Sequence, residues 1–253
     1  MGDELVHMSA MGGIAKITLD SPANRNALSD RLVEELETRL GTALADGAVR
    51  AVHLTATGTV FCAGADLKGG GSAVTSGFPR ILAAVLGSAK PVVAEVNGHV
   101  RAGGVGLVAA CDIVVAPAGA TFALNEVRLG LLPAIVAVPL LRRVSARALT
   151  RWLMTGEAFG AEEAAAAGLV SMAVPDDRVA EVTAAVLDAL RLGAPGALAG
   201  IKPLLASVAC RGVDDGLVWA AAESAGRFAS EEAAEGLAAF RGHRPPRWAP
   251  ADG

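Results

Sequence analysis

The chain has 253 residues, 53% of them hydrophobic and 19% charged, with a net charge of -4 and a mean hydropathy of +0.46. That length holds one well-buried core, or one large domain with a small appendage, and leaves no room for two full domains. There is no basic stripe, tyrosine is absent and aromatics are 4%, which argues against nucleic-acid binding; the longest apolar run, Leu129 to Leu141, is broken by Gly130, Pro133 and Pro139 and falls short of the ~20 residues of a membrane-spanning helix.

The first residues, Met1-Gly2-Asp3-Glu4, are acidic where a signal peptide is basic. Cys62, Cys111 and Cys210 are odd in number and far apart, so neither a disulfide framework nor a Cys-x-x-Cys metal site is expected. Together these lead us to expect a cytoplasmic protein without a bound metal.

Residues Gly13 to Asp20 alternate, with Ala15, Ile17 and Leu19 on one face and Lys16 and Thr18 on the other, which predicts a strand. A loop over 21–26 follows. Ser29 is placed to cap a helix carrying Leu32, Leu36, Leu40 and Ala43 or Leu44 on one face. A second strand is expected at Arg50 to Thr55, a glycine-punctuated loop from Gly58 to Gly77, and a short helix from Pro79 to Leu86. Pro91 to Val96 and Asp112 to Ala116 are almost entirely apolar and predict strands buried on both faces. From about Ala161 the pattern is helical, with one short strand candidate at Leu169 to Val174 and Ala-rich segments beyond Arg178. Strands separated by helices predict an α/β architecture, with a core over residues 1–195 and a helical C-terminal module over 196–253.

Two glycine-bearing turns stand out. The first, Phe61-Cys62-Ala63-Gly64-Ala65-Asp66-Leu67, has small residues that let a ligand approach the main chain. The second runs from Asn97 to Leu107 through Ala102-Gly103-Gly104 and leads into a predicted helix, whose first N-H groups attract negative charge. Two such donors from separate turns suit an oxyanion. The string Gly104-Val105-Gly106-Leu107-Val108-Ala109 also matches a dinucleotide fingerprint, with Glu126 near the acidic offset. That fingerprint belongs directly after the first strand of its unit, whereas here six residues intervene and the strand is the third.

These blocks resemble the enoyl-CoA hydratase/isomerase (crotonase) superfamily. The resemblance is carried by Asn24-Arg25-Asn26-Ala27-Leu28, Cys62 to Leu67, Lys90 to Ala94, Ala102-Gly103-Gly104, Cys111-Asp112-Ile113 and Glu126 to Pro133, in that order. It implies a crotonase-like spiral of ββα repeats, an acyl-CoA thioester substrate, no separate cofactor, and a homotrimer or dimer of trimers. The N-H groups of Ala65 and Gly103 are its implied oxyanion donors. Arg25, Ala63, Ala65, Asp66, Leu67, Lys68 and Gly103 are its implied substrate and CoA contacts. The segment Glu235 to Phe240 resembles the family's trimerisation and CoA-contacting helix.

Family hydratases that this chain resembles use two glutamates. One matches Glu126; the other would fall at Gly106. Hydration of a 2-enoyl-CoA is the activity first implied, with Glu126 alone activating water. A single carboxylate also suffices for double-bond isomerisation, and a catalytically weak acyl-CoA binder is the third reading. Glu95, Arg101 and His99 are further candidates near the second turn. Arg128 is a possible salt partner that would make Glu126 an ordinary surface residue.

Overall fold

The computed structural model describes residues 4–67 and 72–249. The chain opens with a hairpin, β1 (Val6–Met11) and β2 (Ile14–Leu19), paired antiparallel from Val6↔Leu19 to Met11↔Ile14. Gly12 and Gly13 both take positive φ, 55° and 80°, as a two-residue hairpin turn demands. The sequence reading lacked β1: most of its residues are exposed or half-exposed, so it shows no apolar alternation. Helix α1 (Asp30–Ala45) starts where expected, with the Ser29 side chain accepting from the Leu32 N-H. Its buried face is Leu32, Val33, Leu36, Leu40 and Ala43.

Next come β3 (Ala51–Ala56), buried throughout, and β4 (Val60–Cys62). Helix α2 (Ser72–Gly87) begins earlier than the sequence implied, so the expected loop up to Gly77 is helical from Ser72. Pro79 within it costs about 3 kcal/mol. Phe78, Ile81, Leu82 and Val85 are buried at about 1.5–3 kcal/mol each, which outweighs that cost. The absent side chain of Gly77 admits Val33 of α1: a Cβ there would lie 2.7 Å from Val33 Cγ1.

The chain continues through β5 (Val92–Glu95), β6 (His99–Arg101), α3 (Gly103–Ala110), β7 (Ile113–Pro117) and β8 (Thr121–Ala123). All eight residues of α3 are buried. A 3-10 turn (Glu126–Leu129) leads to α4 (Ala134–Leu140), α5 (Ala146–Thr155), β9 (Ala158–Gly160), α6 (Ala161–Ala166) and β10 (Met172–Val174). Four helices finish it: α7 (Val179–Leu192), α8 (Pro195–Ala209), α9 (Val213–Phe228) and α10 (Glu231–Arg241).

Two sheets result, one ordered β1-β2-β3-β5-β7-β10 and the other β4-β6-β8-β9. Each of the pairs β3/β4, β5/β6 and β7/β8 gives its first strand to the larger sheet and its second to the smaller, and α2 and α3 connect successive pairs. This is the expected spiral of ββα repeats. In the smaller sheet β4, β6 and β8 run parallel, with Val60↔His99, Val100↔Phe122 and Arg101↔Ala123 in register. Their carboxyl ends therefore emerge along one edge, where open parallel sheets offer their ligand crevices.

Helix α8 is tied to the core by Lys202, whose ammonium donates to the carbonyls of Val85 (2.9 Å) and Lys90 (3.2 Å) and pairs with Asp112 at 2.7 Å. No single helix among the described residues is long and apolar enough to cross a membrane. The stretch Asp176–Leu192 with α8 reaches that length only jointly, across a 105° bend.

Candidate active site

The first turn leaves β4 and is held by the loop before α1. Ala63 N-H donates to Arg25 O (3.0 Å), Leu28 N-H to Gly64 O (2.8 Å) and Asp66 N-H to Leu28 O (3.3 Å). This short parallel ladder, with Leu28 opposite Ala65, engages the groups on either side of Ala65. The Ala65 N-H itself has no partner among the described residues.

The second turn leaves β6. Ala102 has φ 47° and ψ -117°, a strained conformation for a residue with a Cβ. It is fixed by its N-H donating to Ala123 O of β8 (2.8 Å), and its carbonyl accepts from Val105 N-H (2.9 Å) and Gly106 N-H (3.4 Å). The N-H of Gly103, first residue of α3, has no partner among the described residues. It is one of the orphan donors of a helix N-terminus.

Close packing joins the two turns. Gly64 has φ 86°, and a Cβ there would lie 2.6 Å from Ala102 Cβ and 3.3 Å from Gly103 N. A Cβ on Gly103 would lie 2.7 Å from Leu28 Cδ1, and one on Gly104 2.7 Å from Cys62 Cβ. The glycines at 64, 103 and 104 are therefore needed for contact between the turns, and two free N-H groups end at neighbouring strand edges.

The third neighbour is β8, which runs into Glu126 three residues after Ala123. Glu126 is half-buried, and its Oε2 is buried with no hydrogen-bond partner among the described residues. Burial raises its pKa above the ordinary 4.5, and the bond from its own backbone N-H offsets only part of that, because an ion that leaves water is disfavoured. Arg128 is not its partner: the Arg128 Nε donates to Thr155 O at 2.9 Å. An unpaired buried carboxylate oxygen is costly for stability and useful for proton transfer.

No carboxylate faces Glu126 from position 106. A Cβ on Gly106 would lie 2.6 Å from Val136 Cγ1, 2.8 Å from its Cβ and 3.2 Å from its Cα. Val136, on α4, is buried and fills that space. Gly106→Glu is expected to lower stability by roughly 1–3 kcal/mol from overpacking, with the cost of an unpaired buried charge added. A denaturation midpoint unchanged from wild type would refute this packing argument.

The other candidates have different partners. Glu95 lies 3.2 Å from His53 Nε2, and His53, with Thr55 also bonding to it, holds its carboxyl below the ordinary range. Arg101 donates to the carbonyls of Val100 and Thr121 and to Thr121 Oγ1, and His99 Nδ1 lies 3.0 Å from Thr121 Oγ1. Both therefore stitch β6 to β8. Burial pushes the Cys62 thiol up to about 12, which leaves it a core residue.

Among the expected CoA contacts, Arg25 is exposed in a left-handed conformation with φ 53°, and Leu67 is exposed. Asp66 accepts from Asn24 Nδ2 at 3.0 Å, bracing the turn. Lys68 lies outside the described residues. The residue that sequence reasoning missed is Asn26, fully buried with φ 52°. Two successive left-handed residues cost roughly 1–2 kcal/mol each. Three side-chain bonds of Asn26, to Ser21 N-H, Thr57 O and Val60 O, are worth about 1 kcal/mol each and offset much of that strain. Its only sequence signal was a place inside the block Asn24 to Leu28.

Solved structures share this architecture. One from Legionella pneumophila, named provisionally as an enoyl-CoA hydratase/isomerase (crotonase), superposes with a TM-score of 0.92 at 32% identity, covering 97% of this chain and 99% of that one. The enoyl-CoA hydratase of Mycobacterium smegmatis gives 0.89 at 31%, with 97% and 99% covered. The fold is thus crotonase-type. The enoyl-CoA hydratase/isomerase family model matches residues 9–251, and the chain belongs to that family of acyl-CoA enzymes. The 2,3-dehydroadipyl-CoA hydratase of Escherichia coli is 31% identical over 236 residues, covering 91% of this chain and 92% of that protein. A Thermus thermophilus relative named provisionally as an enoyl-CoA hydratase is 36% identical over 247 residues, covering 94% and 98%.

Proposed function

We propose that this protein isomerises enoyl-CoA thioesters with one acid/base, Glu126, and an oxyanion hole formed by the N-H groups of Ala65 and Gly103. The observation that carries this reading is the buried, unpartnered Oε2 of Glu126 combined with Val136 filling the space beside Gly106. The thioester oxygen accepts from both N-H groups. Glu126 removes a proton from the α carbon of a 3-enoyl-CoA, the charge spreads over the dienolate, and the same carboxyl group returns the proton at the γ carbon to give the 2-enoyl-CoA. Donors aimed at developing charge are commonly the largest catalytic term.

Hydration is the second reading, favoured by the names of the relatives. There Glu126 removes a proton from water, the hydroxide adds to the β carbon of a 2-enoyl-CoA, and the proton goes to the α carbon. In either case Arg25, Ala63, Asp66, Leu67 and Lys68 contact the CoA portion. A homotrimer, or a dimer of trimers, completes the reading. It is supported by Ile201, Leu205, Leu217, Val218, Phe228 and Phe240, large apolar residues exposed on α8 to α10.

The conjugated-thioester absorbance separates the two reactions. We expect a 3-enoyl-CoA to gain it with enzyme present. Loss of that absorbance from a 2-enoyl-CoA would mark hydration. Flat traces across chain lengths would sink both and leave an acyl-CoA binder.

A further inference from the structure

We infer that Asn26 is the positioning residue of the oxyanion hole, aiming the Ala65 N-H from a distance without touching substrate. This rests on the proposed role of that N-H. Asn26 ties three segments to one another through a single buried amide. Its Oδ1 accepts from Ser21 N-H at 2.7 Å, where the loop begins, and its Nδ2 donates to Thr57 O at 2.9 Å and Val60 O at 2.8 Å, on either side of the β3–β4 turn. Its neighbours in the chain then grip the first turn. Arg25 O accepts from Ala63 N-H, and Leu28 bonds through both its N-H and its carbonyl to Gly64 and Asp66.

Among the described residues, every backbone bond between the loop and the first turn thus involves a residue within two positions of Asn26. In a parallel pairing of this kind, the residue opposite Leu28 has its own N-H directed away from the ladder. That residue is Ala65. The direction of the free N-H is consequently set by the loop, and the loop by the Asn26 amide. A further, outer bond from Asn24 Nδ2 to Asp66 joins the two without it.

Asn26→Asp tests this at nearly constant shape. It keeps the acceptor for Ser21 N-H but sets carboxylate lone pairs against Thr57 O and Val60 O. Kinetics with a 3-enoyl-CoA are combined with binding of a saturated acyl-CoA and of its S-alkyl-CoA thioether, which lacks the carbonyl. Wild type should bind the thioester more tightly than the thioether. In Asn26→Asp that preference should shrink, and kcat should fall about 10–100-fold, less than the ~10²–10³ for outright loss of one oxyanion donor because the N-H is misaimed rather than removed. KM and thioether binding should move less than threefold, a split that general loosening would not produce.

If wild type itself fails to prefer the thioester, the oxyanion reading is wrong. If wild type prefers it and folded Asn26→Asp prefers it equally, the inference about Asn26 is wrong and the oxyanion reading stands. Should the aspartate variant not fold, Asn26→Gly, which keeps the left-handed backbone, goes through the same measurements. Amide exchange in wild type adds a check that needs no variant. The Ala63 and Leu28 amides should be protected together, and exchange at the rate of an open loop would overturn the clamp.

Discussion

Glu126→Gln is expected to cut turnover about 10²–10⁴-fold, the usual worth of a positioned acid/base, while acyl-CoA binding changes little. Glutamine keeps the shape of the side chain and removes its ability to take a proton. The same change should raise stability at neutral pH. Burial raises the folded-state pKa of Glu126 above its ordinary 4.5, so between those two values the folded chain holds more proton than the unfolded one. Stability then falls as pH rises through that window, and a neutral glutamine removes the loss. With Glu126 in its proposed role the ionised carboxylate is the active form, so kcat/KM should decline as pH drops through the raised value, with its acid limb above 4.5. Unchanged turnover in the variant would eliminate Glu126 as the base, and a lower melting temperature would contradict its uncompensated burial.

Gly64→Val is expected to be the most damaging change at the proposed oxyanion hole. The glycine sits at φ 86°, and any Cβ meets Ala102 Cβ at 2.6 Å and Arg101 O at 3.1 Å. The backbone strain and overpacking together cost roughly 1–3 kcal/mol or more. Relief of the clash moves the first turn away from the second, taking the Ala65 N-H with it. Losing one donor of such a pair costs about 10²–10³ in kcat. Gly41→Ala is the control. Position 41 lies within α1 with open space around it, so alanine there should be neutral or stabilising by up to about 1 kcal/mol. Melting curves and kcat for both variants decide it: a Gly64→Val enzyme as fast as wild type would mean that the two turns do not act together.

Local pattern and three-dimensional placement contributed differently to what could be read. The spacing of Leu32, Leu36 and Leu40 with Ser29 ahead of them specified α1, and the apolar runs at 91–96 and 112–116 located β5 and β7 to within a residue or two. Such elements are set by neighbours along the chain. The smaller sheet was not legible. Strands β4, β6, β8 and β9 have three residues each, too few to show a period, and they exist because partners distant in sequence hold them. Helix α2 shows the reverse override, where tertiary burial carries a helix through Pro79.

By itself the sequence determined the family, the alternation of strand and helix, the two small-residue turns, and the lack of a carboxylate at Gly106. Tertiary structure alone decided that Gly64 and Gly103 meet and that β8, the strand leading to Glu126, lies beside β6, because parallel registers β4–β6 and β6–β8 align strand ends about 20 to 40 residues apart in the chain. It also decided that Val136, thirty residues beyond Gly106, fills the vacant position. A missing side chain can be read from a sequence. What occupies its place depends on a contact between α3 and α4, and such contacts follow from packing the whole core.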